Sequence, residues 1–143
     1  MPVNFYYYIA IVFAIAIISA VVTLVMMRKR AQKFLDEHPD AVKVTLKNVN
    51  WLLYIKTTSV HLVDGAKPVR VATSFTSQAF FLSPGTHILN VSFSKQRPGI
   101  IYKSVTTTYD PTNIEVVAEA GKAYRLYFNT SEKRYVFEEV EAK

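Results

Sequence analysis

The chain has 143 residues, half of them apolar, no cysteine and a formal net charge of +6. This length fits one ordinary domain plus an appendage and excludes a multidomain enzyme. The absence of cysteine excludes a disulfide scaffold, a thiolate metal site and a cysteine nucleophile. No Lys, Arg, Asp or Glu precedes Arg28. The chain therefore divides into a hydrophobic N-terminal segment and a domain of ordinary composition.

The N-terminal segment has the length and composition of a transmembrane helix. Residues 5–27 form an uncharged run, which as a helix would extend about 34 Å and cross a hydrocarbon core of about 30 Å. Three tyrosines at positions 6–8 suit the headgroup layer. A cleaved signal peptide would need a basic N-terminal region and a shorter apolar run. We therefore predict a single-pass membrane anchor over residues 1–27, with membrane lipids as partners.

A basic cluster closes the anchor: Arg28, Lys29, Arg30 and Lys33. Pro39 lacks an amide hydrogen and disfavours helix at the residue before it, so we predict a juxtamembrane helix extension over residues 28–39. The cluster is interpreted in two ways. It is a topology signal that also stops the span, or its four side chains contact anionic lipid headgroups.

The basic cluster also predicts the orientation of the protein. The positive-inside rule places the domain in the cytoplasm, and a domain translocated for other reasons would instead be extracytoplasmic. Of the 17 basic residues, four belong to the cluster, which leaves 13 against 11 acidic residues. Such a balance gives no electrostatic footprint for nucleic acid.

Residues 40–143 have the texture of a small antiparallel β-sandwich. Short runs rich in Val, Ile, Thr, Tyr and Phe alternate with turn residues, as at Asp64-Gly65 and Asp110-Pro111. The predicted strands are 42–47, 51–56, 60–63, 69–73, 79–82, 87–94, 101–109, 113–118, 123–129 and 134–140. Alternation is regular at Leu89, Val91 and Phe93, which predicts one buried and one solvated face. The expected fold class is mainly β after a single transmembrane helix.

Three short motifs carry a family resemblance. Val60-His-Leu-Val-Asp-Gly65, then Phe80-Phe-Leu-Ser-Pro-Gly85 and His87-Ile-Leu-Asn-Val91, resemble PEGA-type β-sandwich modules of bacterial surface proteins. They also resemble a related domain of unknown function in bacterial lipoproteins, and Gly121-Lys-Ala-Tyr124 matches a later motif. The chain departs by an insertion at residues 67–77 and by lacking a lipoprotein cysteine. The resemblance implies a binding or structural module, and its relatives usually lie outside the cytoplasm.

Motifs for catalysis are not found in the sequence. The histidines at positions 38, 61 and 87 lack the spacing of a metal-binding helix, and no Gly-x-Ser-x-Gly occurs. We therefore expect no enzyme activity, no cofactor and no metal site. Trp51 and Tyr54 are the candidate ligand-facing aromatics, and packing inside the sandwich is the alternative for both.

Three functional hypotheses follow. The first is a non-catalytic sandwich that mediates protein interaction or assembly near the bilayer, with another protein or with a second copy. The second is an extracytoplasmic envelope module that binds glycan or peptide through exposed aromatics. The third is an enzyme whose site is assembled from scattered residues. No motif in the sequence supports this third hypothesis.

Overall fold

One long helix and nine strands make up the described part of the chain. The computed structural model describes residues 3–51, 54–72, 77–100 and 105–141. Helix α1 is Val3–Glu37, and the strands are β1 (Val42–Leu46), β2 (Val49–Trp51), β3 (Tyr54–Val63), β4 (Val69–Ala72), β5 (Gln78–Leu82), β6 (Gly85–Arg97), β7 (Val105–Ala118), β8 (Ala123–Asn129) and β9 (Arg134–Val140). The predicted anchor residues 1–2, strand residues 52–53, 73 and 101–104, and domain residues 142–143 lie outside the described residues.

Helix α1 runs without interruption through the apolar segment and the basic cluster. Inside the apolar run, the hydroxyls of Ser19 and Thr23 donate to helix carbonyls 2.9 and 2.8 Å away, so neither leaves an unsatisfied polar group. The helix ends at Glu37, two residues before Pro39 and two residues short of the predicted extension over residues 28–39. It is long and apolar enough to span a membrane, and its most apolar stretch is not buried by the rest of the described protein. A core helix of a soluble protein would be mostly buried.

The nine strands form two sheets. Sheet A has the order β4-β5-β1-β8-β9 and sheet B the order β2-β3-β6-β7. Every neighbouring pair is antiparallel except β1 and β8, which are parallel. The parallel pair arises because β1 and β8 both start at the end of the sandwich where α1 joins it. The described chain is thus mainly β, with two sheets behind a long apolar helix.

The core lies between the inward faces of the two sheets. Its members alternate with less buried residues along most of these strands, as in a sheet with one face in the core. They are Val42, Val44, Leu46, Phe80, Leu82, Tyr124 and Leu126 from sheet A, and Val60, Leu89, Val91, Val116 and Ala118 from sheet B. The predicted alternation at Leu89, Val91 and Phe93 is confirmed, since each is at most 2% exposed.

Strand β3 is longer than predicted. The sequence separates strands 51–56 and 60–63, which is wrong, because β3 is continuous from Tyr54 to Val63. Thr58 lies in the predicted gap, is 1% exposed and donates its backbone N–H to the Asn48 side-chain oxygen at 2.9 Å. Threonine is β-branched and suits a strand. Instead of a break, β3 carries a bulge at His61, between the pairs Val60–Val91 and Leu62–Asn90.

Strand β7 passes through a predicted turn. Asp110 and Pro111 were expected to separate two strands, which is wrong, because β7 is continuous from Val105 to Ala118. It is the edge strand of sheet B, where a residue without an amide hydrogen is tolerated. The register shifts by one residue between Val91 and Phe93, so a bulge on β7 absorbs Asp110 and Pro111.

The strand directions give the sandwich two ends. The connections at residues 38–41, 64–68, 83–84 and 119–122 meet at the end where α1 joins, here called the proximal end. Residues 47–48 and 130–133 lie at the opposite, distal end. On the open side of the sandwich the Arg70 guanidinium donates to the Val60 carbonyl at 2.8 Å, which links β4 of sheet A to β3 of sheet B.

Candidate functional site

The basic cluster predicted to contact lipid lies on the last turns of α1, and the helix divides it between two faces. Arg30 and Lys33 line a groove between α1 and β4, whereas Arg28 and Lys29 do not. Residues three or four apart share a helix face, so Arg30 lies with Met27 and Phe34. Arg28 and Lys29 are exposed and lie outside the lining of this groove.

The last turns of α1 pack on the outer face of sheet A. The rings of Phe34 and Phe81 stack with their centroids 6.5 Å apart, and Ala31 is only 7% exposed. Phe81 pairs with Val69 across β4 and β5, so both lie on the same outward face. The helix is therefore attached to the domain through side-chain packing as well as through the chain.

A groove of about 700 Å³ opens beside this contact. Apolar side chains form one part of its wall: Met27, Phe34, Pro68 and Val69. Polar and charged side chains form the rest: Arg30, Lys33, Glu37, His61, Lys67 and Arg70. We call this feature the basic groove. Its volume lies within the range of ligand sites in proteins, about 300–1,000 Å³.

The basic groove carries four cationic side chains against one carboxylate. Glu37 is 3.8 Å from the Lys33 ammonium, four residues earlier on the same helix. Arg70 is held by the Val60 carbonyl, which is uncharged. Within the described ranges, Arg30 and Lys67 have no carboxylate within 4 Å. The groove is therefore electropositive and suited to an anion.

The sequence analysis identified two of the four cations that line this groove. It named Arg30 and Lys33 but missed Lys67 and Arg70, which are separated from the helix by three strands along the chain. The available signal was the pair of basic residues that flank Pro68 and Val69. Only the packing of α1 against β4 brings the two pairs together.

A second polar cluster lies at the proximal end and joins the three motifs that carry the family resemblance. The His87 ring contacts the Asp64 carboxylate through Nδ1 at 2.5 Å and the Ser83 carbonyl through Nε2 at 2.6 Å. The Ser83 hydroxyl is farther away, 3.4 Å from Nε2. A serine nucleophile needs an Nε2 lone pair that accepts its proton. Here Nε2 donates to the carbonyl, so the cluster links turns and supplies no base.

Asp64 connects the turn after β3 to the start of β6. Its carboxylate accepts the Ile88 backbone N–H at 2.8 Å, and its backbone is left-handed, with φ of 51°, which Asp tolerates better than most residues. The hydrogen bonds from the Ile88 amide and from His87 lower the pKa of Asp64 below its usual value. The charged carboxylate is thus the form that the fold prefers.

Trp51 and Tyr54, the predicted ligand-facing aromatics, lie at the distal end, where they are paired across β2 and β3. Trp51 is 70% exposed, so core packing does not explain it. Tyr54 is half-buried, with the Lys56 and Lys95 ammonium groups 5.4 and 5.7 Å from its ring centre. Burial raises the pKa of Tyr54, and the hydrogen bonds and charges of the two lysines lower it more, so the net shift is downward.

The distal aromatics and the basic groove are separate features. His61 is seven residues after Tyr54 along β3, a distance of about 23 Å at the usual strand rise. Across the ranges that the structure describes, no group of three or more His, Asp or Glu side chains is placed to hold a metal ion. No family model, curated protein or solved structure matches this chain.

Proposed function

We propose that this chain is a single-pass membrane protein whose β-sandwich mediates protein interaction or assembly close to the bilayer, without catalysis. The observation that carries the proposal is the unbroken helix α1. It joins a stretch long enough to cross a membrane to turns that pack on sheet A through Ala31 and Phe34. A domain attached in this way is presented at a fixed height above the bilayer.

The proposal places the sandwich in the cytoplasm. Arg28, Lys29, Arg30 and Lys33 follow the apolar run directly, and the described residues before it carry no charge. The positive-inside rule favours this orientation. The resemblance to PEGA-type modules supports a non-enzymatic role but favours the other side of the membrane.

The distal end supplies the contact surface for a partner. Trp51 is the last residue of the short edge strand β2 and is 70% exposed. Tryptophan is enriched at the energetic centres of protein interfaces. An exposed tryptophan at the end farthest from the membrane is well placed to meet a partner protein or a second copy.

Photo-cross-linking in cells tests this assignment. A photoreactive amino acid in place of Trp51 is expected to yield an adduct with a protein, and the same amino acid at Ser131 serves as the matched control. Ser131 is also exposed and distal but lies in the β8–β9 connection. Equal adducts at both positions would contradict a specific surface.

The exposed Trp51 also favours the second candidate function, an extracytoplasmic envelope module that binds glycan or peptide through Trp51 and Tyr54. In that case the photoreactive group at position 51 would capture cell-wall material, and the sandwich would face outward. The two candidates are therefore separated by the identity of the adduct and by topology.

A further inference from the structure

We infer that the basic groove binds the phosphate group of an anionic phospholipid, held between two cations of α1 and two of the sandwich. The inference rests on the proposed membrane anchoring of α1. It goes beyond general attraction of a basic cluster to a membrane, because it names a built site with one wall from the helix and one from the domain.

The first argument is position. Met27 is the last residue of the uncharged run and also lines the groove. Arg30 and Lys33 follow about 4.5 and 9 Å farther along the helix axis. The polar layer on each side of a bilayer is about 5–8 Å thick. The groove therefore opens at the depth where phospholipid phosphates lie.

The second argument is the chemistry of the walls. Arg30 and Lys33 approach from α1, and Lys67 and Arg70 approach from the connection before β4 and from β4 itself. Arginine donates to phosphate oxygens in a planar fork, and lysine supplies a compact charge. The single carboxylate, Glu37, already lies 3.8 Å from Lys33. Four cations from two elements around one groove suit a group with several anionic oxygens.

The third argument is the apolar part of the wall. Met27 and Phe34 continue the hydrophobic surface of the membrane span into the groove, and Pro68 and Val69 face them. A free phosphate ion would gain nothing from these side chains. A lipid would, because its glycerol backbone and first methylenes lie beside its phosphate and bury apolar surface. The mixed wall therefore selects a phospholipid over a soluble anion.

Native mass spectrometry of the full chain in mild detergent tests the inference. The protein is titrated with phosphatidylglycerol and, separately, with zwitterionic phosphatidylcholine. The wild type is expected to retain one phosphatidylglycerol in preference to phosphatidylcholine. Removing two groove cations in Arg30→Gln/Lys67→Gln is expected to weaken this binding by about tenfold or more, on the scale of a basic side chain near a lipid surface.

The control variant is Arg28→Gln/Lys29→Gln, which removes the same charge at nearly the same depth from two residues that do not line the groove. Its binding should stay within about twofold of wild type. Equal loss in both double variants would overturn the inference, because the membrane-proximal charge alone would then explain binding. Equal retention of both lipids by the wild type would also overturn it.

Two further measurements keep the result unambiguous. Inorganic phosphate added as a competitor should not displace the lipid, and displacement would assign the groove to free phosphate instead. Lys67→Glu, a single change at an exposed connection, replaces the double variant if that variant does not fold, and it should lose the lipid equally. Extraction of the wild type from membranes by alkaline carbonate would refute the membrane anchoring itself, independently of the groove.

Discussion

At the scale of single residues, His87 connects the three sequence motifs that carry the family resemblance. Asp64 belongs to the first motif and Ser83 to the second, and His87 begins the third. In the fold, the His87 ring lies between the Asp64 carboxylate and the Ser83 carbonyl. The three motifs are thus parts of one cluster that holds the proximal turns together.

This cluster predicts that Asp64→Ala destabilises the sandwich by about 1–2 kcal/mol. The change removes the acceptor of the Ile88 amide and one partner of His87, and it leaves alanine in a left-handed backbone. Faster hydrogen exchange at the Ile88 amide and a lower unfolding midpoint of the full chain in detergent would be measured. Asp64→Asn keeps an acceptor and tolerates this backbone, so its loss should be smaller. Equal losses would show that the charge alone matters.

Asp64 also predicts a contribution to acid sensitivity. Its pKa is lowered in the folded state by the Ile88 amide and His87, so the folded state binds fewer protons than the unfolded chain. The contribution is complete above the unfolded value of 3.8 and is lost as the pH falls through the lower folded value. The free energy of unfolding measured between pH 5 and pH 2 should fall more steeply for wild type than for Asp64→Asn. Parallel curves would contradict this role.

At the scale of elements, the alternation of apolar and polar residues predicts which side chains of a strand are buried. Leu89, Val91 and Phe93 follow a simple inside–outside alternation, and the structure places them as predicted. The strand prediction was wrong where the turn preference of single residues conflicted with the position of their strand in the sheet. Asp110 and Pro111 are turn residues by preference, but an unpaired edge tolerates them inside β7. No property of those two residues alone shows that their strand lies at an edge.

The contact between α1 and sheet A predicts the effect of Phe34→Ala. Losing this half-buried ring removes its stack on Phe81 and should cost about 1–2 kcal/mol, less than a fully buried phenylalanine. Spin labels at Gln32→Cys and Lys43→Cys, on the helix and on β1, should report a broader distance distribution.

Lys29→Ala is the control for this helix contact. Lys29 is exposed and does not line the groove, so the label distances should not change. A narrow distribution in Phe34→Ala would mean that other contacts fix the helix. In that case the domain would be held without the aromatic stack.

At the scale of the whole molecule, the proposed membrane anchoring predicts the side of the membrane on which the sandwich lies. The chain contains no cysteine, so a single introduced thiol reports its own location. We expect Ser131→Cys to react with a membrane-impermeant maleimide only after cell lysis, as the positive-inside rule predicts. Ser131 is exposed and its backbone is not left-handed, unlike that of Lys133.

Asn4→Cys provides the opposite control, because it precedes the apolar run and should be labelled in intact cells. Labelling of position 131 in intact cells would place the sandwich outside the cytoplasm. That outcome would favour the envelope-binding candidate. Labelling of both positions in intact cells would contradict a single membrane crossing.

Features that depend on composition and local residue pattern can be predicted from the amino-acid sequence alone. An uncharged apolar run predicts a helix that can span a membrane, and the described helix has that character. Alternating apolar residues predict two half-buried sheets, because side chains in a strand alternate between faces whatever the strand pairs with. The proline at position 39 predicts the helix end within two residues.

Contacts between residues that are far apart in the chain depend on how the elements pack in the tertiary structure. Lys67 and Arg70 join Arg30 and Lys33 because α1 packs on β4, and no periodicity within either segment contains that contact. Likewise, the 70% exposure of Trp51, on the edge strand β2, follows from the packing of the described elements and not from its local sequence. Local pattern fixes the direction of a side chain relative to its own element. The packing of the elements determines which residues that side chain contacts. In this protein, the packing of α1 on β4 therefore determines which residues form the basic groove.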